Sequence, residues 1–383
     1  MESGENSTNR QISRRRFLKV AAGVGAAAVT GGLAKLLLDQ QSKPSTPEPI
    51  SSPELLDDTA TEFGFNTHIY THEVPGENHT IEMFKQNVDQ LAANNQERIR
   101  FNLRDWEVIG SADSDSIEWN EKMAVYDEAI NYAKEKGLKI FFVVGGPAFA
   151  KEMDRNTYRK TIESFYRQLA TRYKGKIDIW QIFNEADIHN FRNYEFSLDY
   201  QRNGEYLGEL ADMISAANSA IKEVDPNTLT TANISRWVGH KTDLLEKGDF
   251  FFDRVSDVDV LSLDLYPDDD MNEISRLPEY VEHFRNRYHK PVFVAELGLP
   301  TSGRFTEDDQ AKYIRASIDS LKGGRMKPMG LLLYELTDET TAQPQHENTF
   351  GFEHSDGTPK KAFDTVLEAM QKDKPTLVNQ ISH

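Results

Sequence analysis

Eight times between residues 61 and 372, a short apolar run is followed by a longer amphipathic segment. The runs are Phe63–His68, Arg98–Leu103, Lys139–Val144, Ile177–Phe183, Leu229–Ala232, Val258–Leu265, Val292–Ala295 and Gly330–Tyr334. Most are short, apolar and rich in β-branched or aromatic residues, as expected for strands covered on both faces. The segments between and after them, about 80–93, 119–136, 155–173, 203–223, 240–248, 272–288, 306–322 and 359–372, repeat their apolar residues at helical spacing. Gly137, Gly175 and Gly324 stand just past three of these helices, at the position that favours positive φ. In Lys222-Glu-Val-Asp-Pro226 another helix stops ahead of a proline. A strict alternation of eight strands and eight helices predicts an α/β fold, a (β/α)8 TIM barrel forming a single domain over residues 59–375. No glycine-rich phosphate loop follows the first strand, which disfavours a doubly wound dinucleotide fold.

The barrel is preceded by a segment of different character. Residues 1–38 hold six basic and two acidic side chains, whereas the whole chain of 383 residues has a net charge of −18. Ser13-Arg-Arg-Arg-Phe-Leu-Lys19 leads into an Ala/Gly-rich apolar stretch. This is the pattern of a twin-arginine export signal, read by the twin-arginine translocase. Residues 1–39 are assigned to it. Cleavage is expected after Ala26-Ala-Ala28 or Gly32-Leu-Ala34; if uncut, residues 20–38 would serve as a membrane anchor. Residues 40–58, rich in Pro, Ser and Gln, read as a flexible tether, and 376–383 as a tail. The expected location is periplasmic or extracellular. The chain has no cysteine, so disulfides and thiolate metal sites are excluded. Its acidity argues against nucleic acid as a partner, and it is read as a monomer.

In a barrel, residues at the carboxyl ends of the strands share one rim. Strand one brings Asn66 and His68 there, strand two Arg100, strand four Asn184 and Glu185, strand six Tyr266, strand seven Glu296, and strand eight Tyr334 and Glu335. A charged carboxylate ending a buried strand is costly unless paired, so two such endings point to chemistry. Paired carboxyl groups roughly 5–5.5 Å apart are the equipment of a retaining glycosidase.

The quoted strands resemble the glycoside hydrolases of clan A, of the family 5 and family 39 kind. The resemblance rests on Trp180-Gln-Ile-Phe-Asn-Glu185, Lys290-Pro-Val-Phe-Val-Ala-Glu-Leu-Gly298, Asp264-Leu-Tyr-Pro267, the pair Arg100 and Trp106, and the ending Phe350-Gly-Phe-Glu-His-Ser-Asp-Gly-Thr-Pro-Lys360. It covers about 61–370. It implies a retaining β-glycosidase acting on an oligo- or polysaccharide without metal or cofactor, with Glu185 as acid/base and Glu296 as nucleophile. Asn184 would hold the sugar 2-hydroxyl, and Arg100 and Tyr266 would keep Glu296 charged. Trp237, Trp106 and Tyr334 would offer flat faces to sugar rings. His68 is assigned to the substrate-binding group, with a supporting role as its alternative. Phe149 and Tyr334 stand near places where many relatives carry tryptophan. The rival readings are a carbohydrate-binding barrel without catalysis and an envelope-anchored structural protein.

Overall fold

In a computed structural model of the chain, the described residues are 61–71, 78–112, 117–145, 153–185, 204–237, 243–266, 270–341 and 345–371. Ten strands run in chain order among them: β1 (Glu62–Asn66), β2 (Arg98–Leu103), β3 (Ile109–Ala112), β4 (Ile117–Trp119), β5 (Lys139–Val144), β6 (Ile179–Ile182), β7 (Leu229–Trp237), β8 (Val260–Tyr266), β9 (Val292–Leu297) and β10 (Gly330–Leu333). The α-helices are α1 (Ile81–Ala93), α2 (Asp105–Val108), α3 (Met123–Glu135), α4 (Arg155–Arg172), α5 (Gly204–Val224), α6 (Leu244–Phe252), α7 (Met271–Tyr288), α8 (Glu307–Gly323) and α9 (Lys361–Gln371). β1, β2 and β5 to β10 close into a barrel in the order β1-β10-β9-β8-β7-β6-β5-β2, all pairs parallel. This is the (β/α)8 barrel that the alternation predicts.

Side chains along each strand alternate between two cores. One face meets the helices: Phe101, Phe142, Trp180, Leu261, Val294 and Leu331 are fully buried there. Burying side chains of this size stabilises the layer by roughly 1.5–3 kcal/mol each. The other face fills the barrel with Phe141, Ile179, Val260, Phe293, Ala295 and Leu332. Phe141 and Phe293 meet edge to face at 5.2 Å. On β2, Arg98 and Arg100 point inward, over the rings of Phe293 and Phe141. The apolar plug therefore ends beneath Arg100.

Short polar side chains start several helices. Thr80 accepts a hydrogen bond from the Met83 amide, Asp154 from those of Asn156 and Thr157, and Asp243 from that of Leu245. Thr306 and Asp309 form a reciprocal capping box. Gly137 and Gly175 adopt φ of 83° and 72°, as their places past α3 and α4 predict. Gly324 does not. It is extended (φ −61°), and its small size serves close packing instead, since a Cβ there would lie 2.9 Å from that of Pro278.

Three further departures bear on the site. The fifth barrel strand runs to Trp237, five residues past its predicted end at Ala232. Its Thr231, Asn233 and Ser235 are polar at period two and buried; they line the barrel interior, where an apolar-run criterion does not find them. An unpredicted antiparallel hairpin, β3–β4, follows strand two. Trp119 ends it rather than opening a helix; its ring packs on Phe165 and its indole N–H donates to Gln168. Third, the register of β9 against β8 slips between Leu263 and Asp264, so that Asp264 pairs with Glu296 and Ala295 is skipped.

Candidate active site

That slip aims Glu296. A bulge places two consecutive side chains on one face, so Ala295 packs in the barrel plug while Glu296 also turns inward. The carbonyl of Ala295 accepts a hydrogen bond from Asn66 Nδ2 at 2.9 Å. Asn66 Oδ1 accepts one from Arg100 Nη1, so a single amide secures both the bulge and the arginine.

Arg100 is the hub. Its guanidinium, 1% exposed, donates to Glu296 Oε1 at 2.6 Å, to Gln181 Oε1 at 2.9 Å and to Asn184 Oδ1 at 3.0 Å. Burial alone would weaken the cation, but Glu296 and Asp264 raise its pKa above the ordinary arginine value. The Tyr266 hydroxyl donates to the second oxygen of Glu296. Burial, reinforced by Glu296, pushes the Tyr266 phenol well above its usual range, which keeps it a donor. Both oxygens of Glu296 are therefore held, one by a cation and one by a neutral donor.

Glu185 lies across the pocket at the end of β6. The backbone there leaves the ordinary regions, with φ of 63° at Phe183 and 43° at Glu185. Such left-handed geometry costs a β-carbon-bearing residue roughly 1–2 kcal/mol and persists only where surrounding contacts fix it. Among the contacts that fix it, the Phe183 amide donates to the Val144 carbonyl at 2.9 Å and the Glu185 amide to Asn233 Oδ1 at 2.9 Å. Carboxylate oxygens of Glu185, Asp264 and Glu296 all lie within 4.8 Å of one another.

Five of the eight sequence-derived site residues thus meet in one network: Glu185, Glu296, Asn184, Arg100 and Tyr266. Tyr334 and His68 form an adjoining group. The Tyr334 ring stands edge-on to Tyr266 at 6.1 Å, and its hydroxyl lies 3.3 Å from His68 Nε2. That nitrogen is 3.1 Å from Glu335 Oε2 and 3.6 Å from Glu339 Oε1. Burial lowers the His68 pKa against the pull of Glu339. Burial, with Glu339, raises that of Glu335 well above the carboxylate range. His68, Glu335 and Glu339 present ligand atoms within 4.8 Å of one another, a spacing a metal ion could bridge, as do Glu185, Asp264 and Glu296. Trp237 closes β7 opposite Tyr266 in register; its side chain, and Phe149 altogether, lie outside the described residues. Trp106 sits in α2 and is 61% exposed. Gln181, Asn233 and Glu339 carry parts of the site to which the sequence assigns no role, and Asp264, which the sequence reads as an internal barrel hydrogen-bonder, accepts from Asn233. Gln181 lies inside the motif that ends in Glu185, and inward period-two polarity marks Asn233.

Residues 56–324 match the family model described as Cellulase (glycosyl hydrolase family 5), and residues 11–31 match that of the twin-arginine translocation pathway signal sequence. Among solved structures, GH5_18 from Streptomyces cattleya in complex with GlcNAc is similar, with a TM-score of 0.66 at 14% identity over 84% of this chain and 82% of that one. The hyperthermophilic β-glucosidase from Pyrococcus furiosus gives 0.64 at 13% identity, over 82% of this chain and 96% of its own. A family 39 glycoside hydrolase from Bacteroides cellulosilyticus WH2 gives 0.55 at 16%, over 83% and 65%. At these identities the likeness is one of fold.

Proposed function

The chain belongs to glycosyl hydrolase family 5, and from that premise we propose that it hydrolyses a β-linked oligo- or polysaccharide with Glu185 as acid/base and Glu296 as nucleophile. One observation carries the assignment: oxygens of the two carboxyl groups lie within 4.8 Å of each other at one rim of the barrel. Retaining enzymes space their carboxyl groups roughly 5–5.5 Å apart, and inverting ones roughly 6.5–9.5 Å to admit a water. Glu296, oriented by Arg100 and Tyr266, attacks C1 as Glu185 transfers its proton to the departing glycosidic oxygen. Glu185 then takes a proton from water, the water oxygen bonds to C1, and the bond to Glu296 breaks.

The role of Asn184 at the sugar 2-hydroxyl comes from the family resemblance, and its hydrogen bonds are compatible with it. Its side-chain oxygen already accepts from Arg100 and Gln181, which leaves the Nδ2 group as the donor for a sugar 2-hydroxyl. Tyr334, Trp237 and the exposed Trp106 are assigned as faces for sugar rings, and His68 to hold the Tyr334 hydroxyl. Residues 1–39 deliver the barrel, 59–375, through the export machinery to the periplasm or beyond. The stretch 40–58 is the tether and 376–383 the tail; residues 20–38 are an anchor if the signal stays uncut.

The test is Glu296→Ala. Turnover of an aryl β-glycoside falls by at least about a thousandfold, as losing a covalent nucleophile does, and added azide restores turnover with inverted product. Undiminished activity in Glu296→Ala or Glu185→Gln overturns the assignment. A panel of aryl β-glycosides, β-glucan, xylan and mannan then identifies the sugar.

A further inference from the structure

Asp264 is a third carboxyl group in the site, and the two-carboxyl mechanism does not use it. It is 0% exposed. On β8 it pairs in register with Glu296 of β9, and an oxygen of it lies within 4.8 Å of both Glu296 and Glu185. Its Oδ2 accepts a hydrogen bond from Asn233 Nδ2. Its Oδ1 is buried and has no hydrogen-bond partner among the described residues. The charged and titratable groups facing it are Glu296 from β9, Glu185 from the end of β6, Arg100 from β2 and Tyr266 from its own strand. Arg100, the cation among these, already donates to Glu296.

With Glu185 protonated as the acid, an ionised Asp264 would still set two negative charges around one cation in a dry pocket, and a carboxylate held by a single amide donor is costly there. Asn233 gives Asp264 a second significance. Its oxygen receives the Glu185 amide, and its nitrogen donates closely to Asp264 and only at 3.5 Å to Asn184 Oδ1. The orientation of the amide that holds Glu185 in its left-handed geometry therefore depends on the acceptor behind it. We propose that Asp264 is a positioning residue, a neutral carboxylic acid that locks Asn233 and thereby Glu185, with its own proton on Oδ1. In support, burial and the nearby Glu296 raise the Asp264 pKa well above the carboxylate range, against the opposing pull of Arg100. The inference rests on the roles assigned to Glu185 and Glu296.

Asparagine reproduces a protonated aspartate: an oxygen to accept from Asn233 and an N–H where the proton sits. The experiment is a pH–rate comparison of the wild type, Asp264→Asn and Asp264→Leu on one aryl β-glycoside. Expected for Asp264→Leu is a kcat loss of about a hundredfold with KM within a few-fold, because the loss falls on the transition state rather than on binding. Asp264→Asn recovers at least about tenfold of that loss, and its alkaline limb stays where the wild type's lies. If Asp264 were instead ionised, Asp264→Asn would remove a negative charge beside Glu185 and lower the alkaline limb by about a unit or more; that result overturns the inference. Infrared spectra of wild-type enzyme with carbon-13-labelled aspartate serve as a second measurement independent of the variants' folding. A protonated aspartyl C=O band at neutral pH is expected, and its absence overturns the inference. Failure of the underlying roles shows elsewhere, as turnover surviving in Glu296→Ala.

Discussion

Which residue does the chemistry is set by contacts a few ångströms long, and Tyr266 shows how. Its phenol occupies one oxygen of Glu296 while Arg100 occupies the other. Replacing Tyr266 by Phe keeps the ring packed against Tyr334 and Phe350 and removes only the donor. Loss of one donor aimed at a reacting oxygen costs about 10²–10³ in kcat. Tyr266→Phe is therefore expected to lose about a hundredfold in kcat on an aryl β-glycoside while melting within a few degrees of wild type. An unchanged kcat would make Tyr266 a packing residue. At this scale the sequence is legible where function conflicts with stability. Glu185 and Glu296 stand out because carboxylates end apolar strands, and Arg100 because a guanidinium interrupts one. Asn233 and Gln181 do not stand out, because a buried amide among threonines and serines looks like ordinary barrel lining. Their importance lies in which atoms they reach across the barrel.

Elements are legible by period, and their deviations from period are not. Apolar spacing locates all eight barrel strands, the fifth only as far as Ala232, and the long helices between them, but not the short α2. The bulge that turns Glu296 inward leaves no mark in Val292-Phe-Val-Ala-Glu-Leu297, since its cause lies in Asn66 and in the register with β8. The segment after β10 is similar: Glu353 belongs to no strand or helix, yet it forms isolated bridges to Thr337 and Pro359 and accepts a hydrogen bond from Gln90 of α1. Burial raises its carboxyl, against that donor, from 4.5 to about 7. The folded state thus holds this proton more tightly than the unfolded chain. Its stabilising contribution is complete below pH 4.5 and is lost as the pH rises through about 7. Glu353→Gln keeps an acceptor for Gln90 and carries no charge. The variant is expected to melt above the wild type at pH 8, with the gap closing by pH 4.5. Thermal melts across that interval test this, and a gap that does not narrow with acid would place the effect elsewhere.

On the scale of the whole chain, two parts carry separate instructions. The barrel is acidic and cysteine-free, so its stability comes from packing and hydrogen bonds in any redox compartment. The N-terminal part is basic and carries the twin-arginine export signal. Among the described residues no helix is long and apolar enough to cross a membrane, and residues 20–38 lie outside them. The signal is read by a receptor rather than by hydrophobicity alone, so recognition should depend on the guanidinium groups and not only on their charge. Lysine keeps the charge and loses the planar fork of donors. Changing Arg14 and Arg15 together to lysine is therefore expected to strand an active barrel in the cytoplasm, with cell fractionation and an aryl β-glycoside assay on each fraction as the measurement. Normal export of the double variant would mean that another segment carries the address. For the wild type, the mass of the exported protein separates the two fates of residues 1–39. Loss of the segment up to Ala28 or Ala34 means release from the membrane, whereas an intact N-terminus recovered with the membrane fraction means that the uncut segment holds the enzyme there.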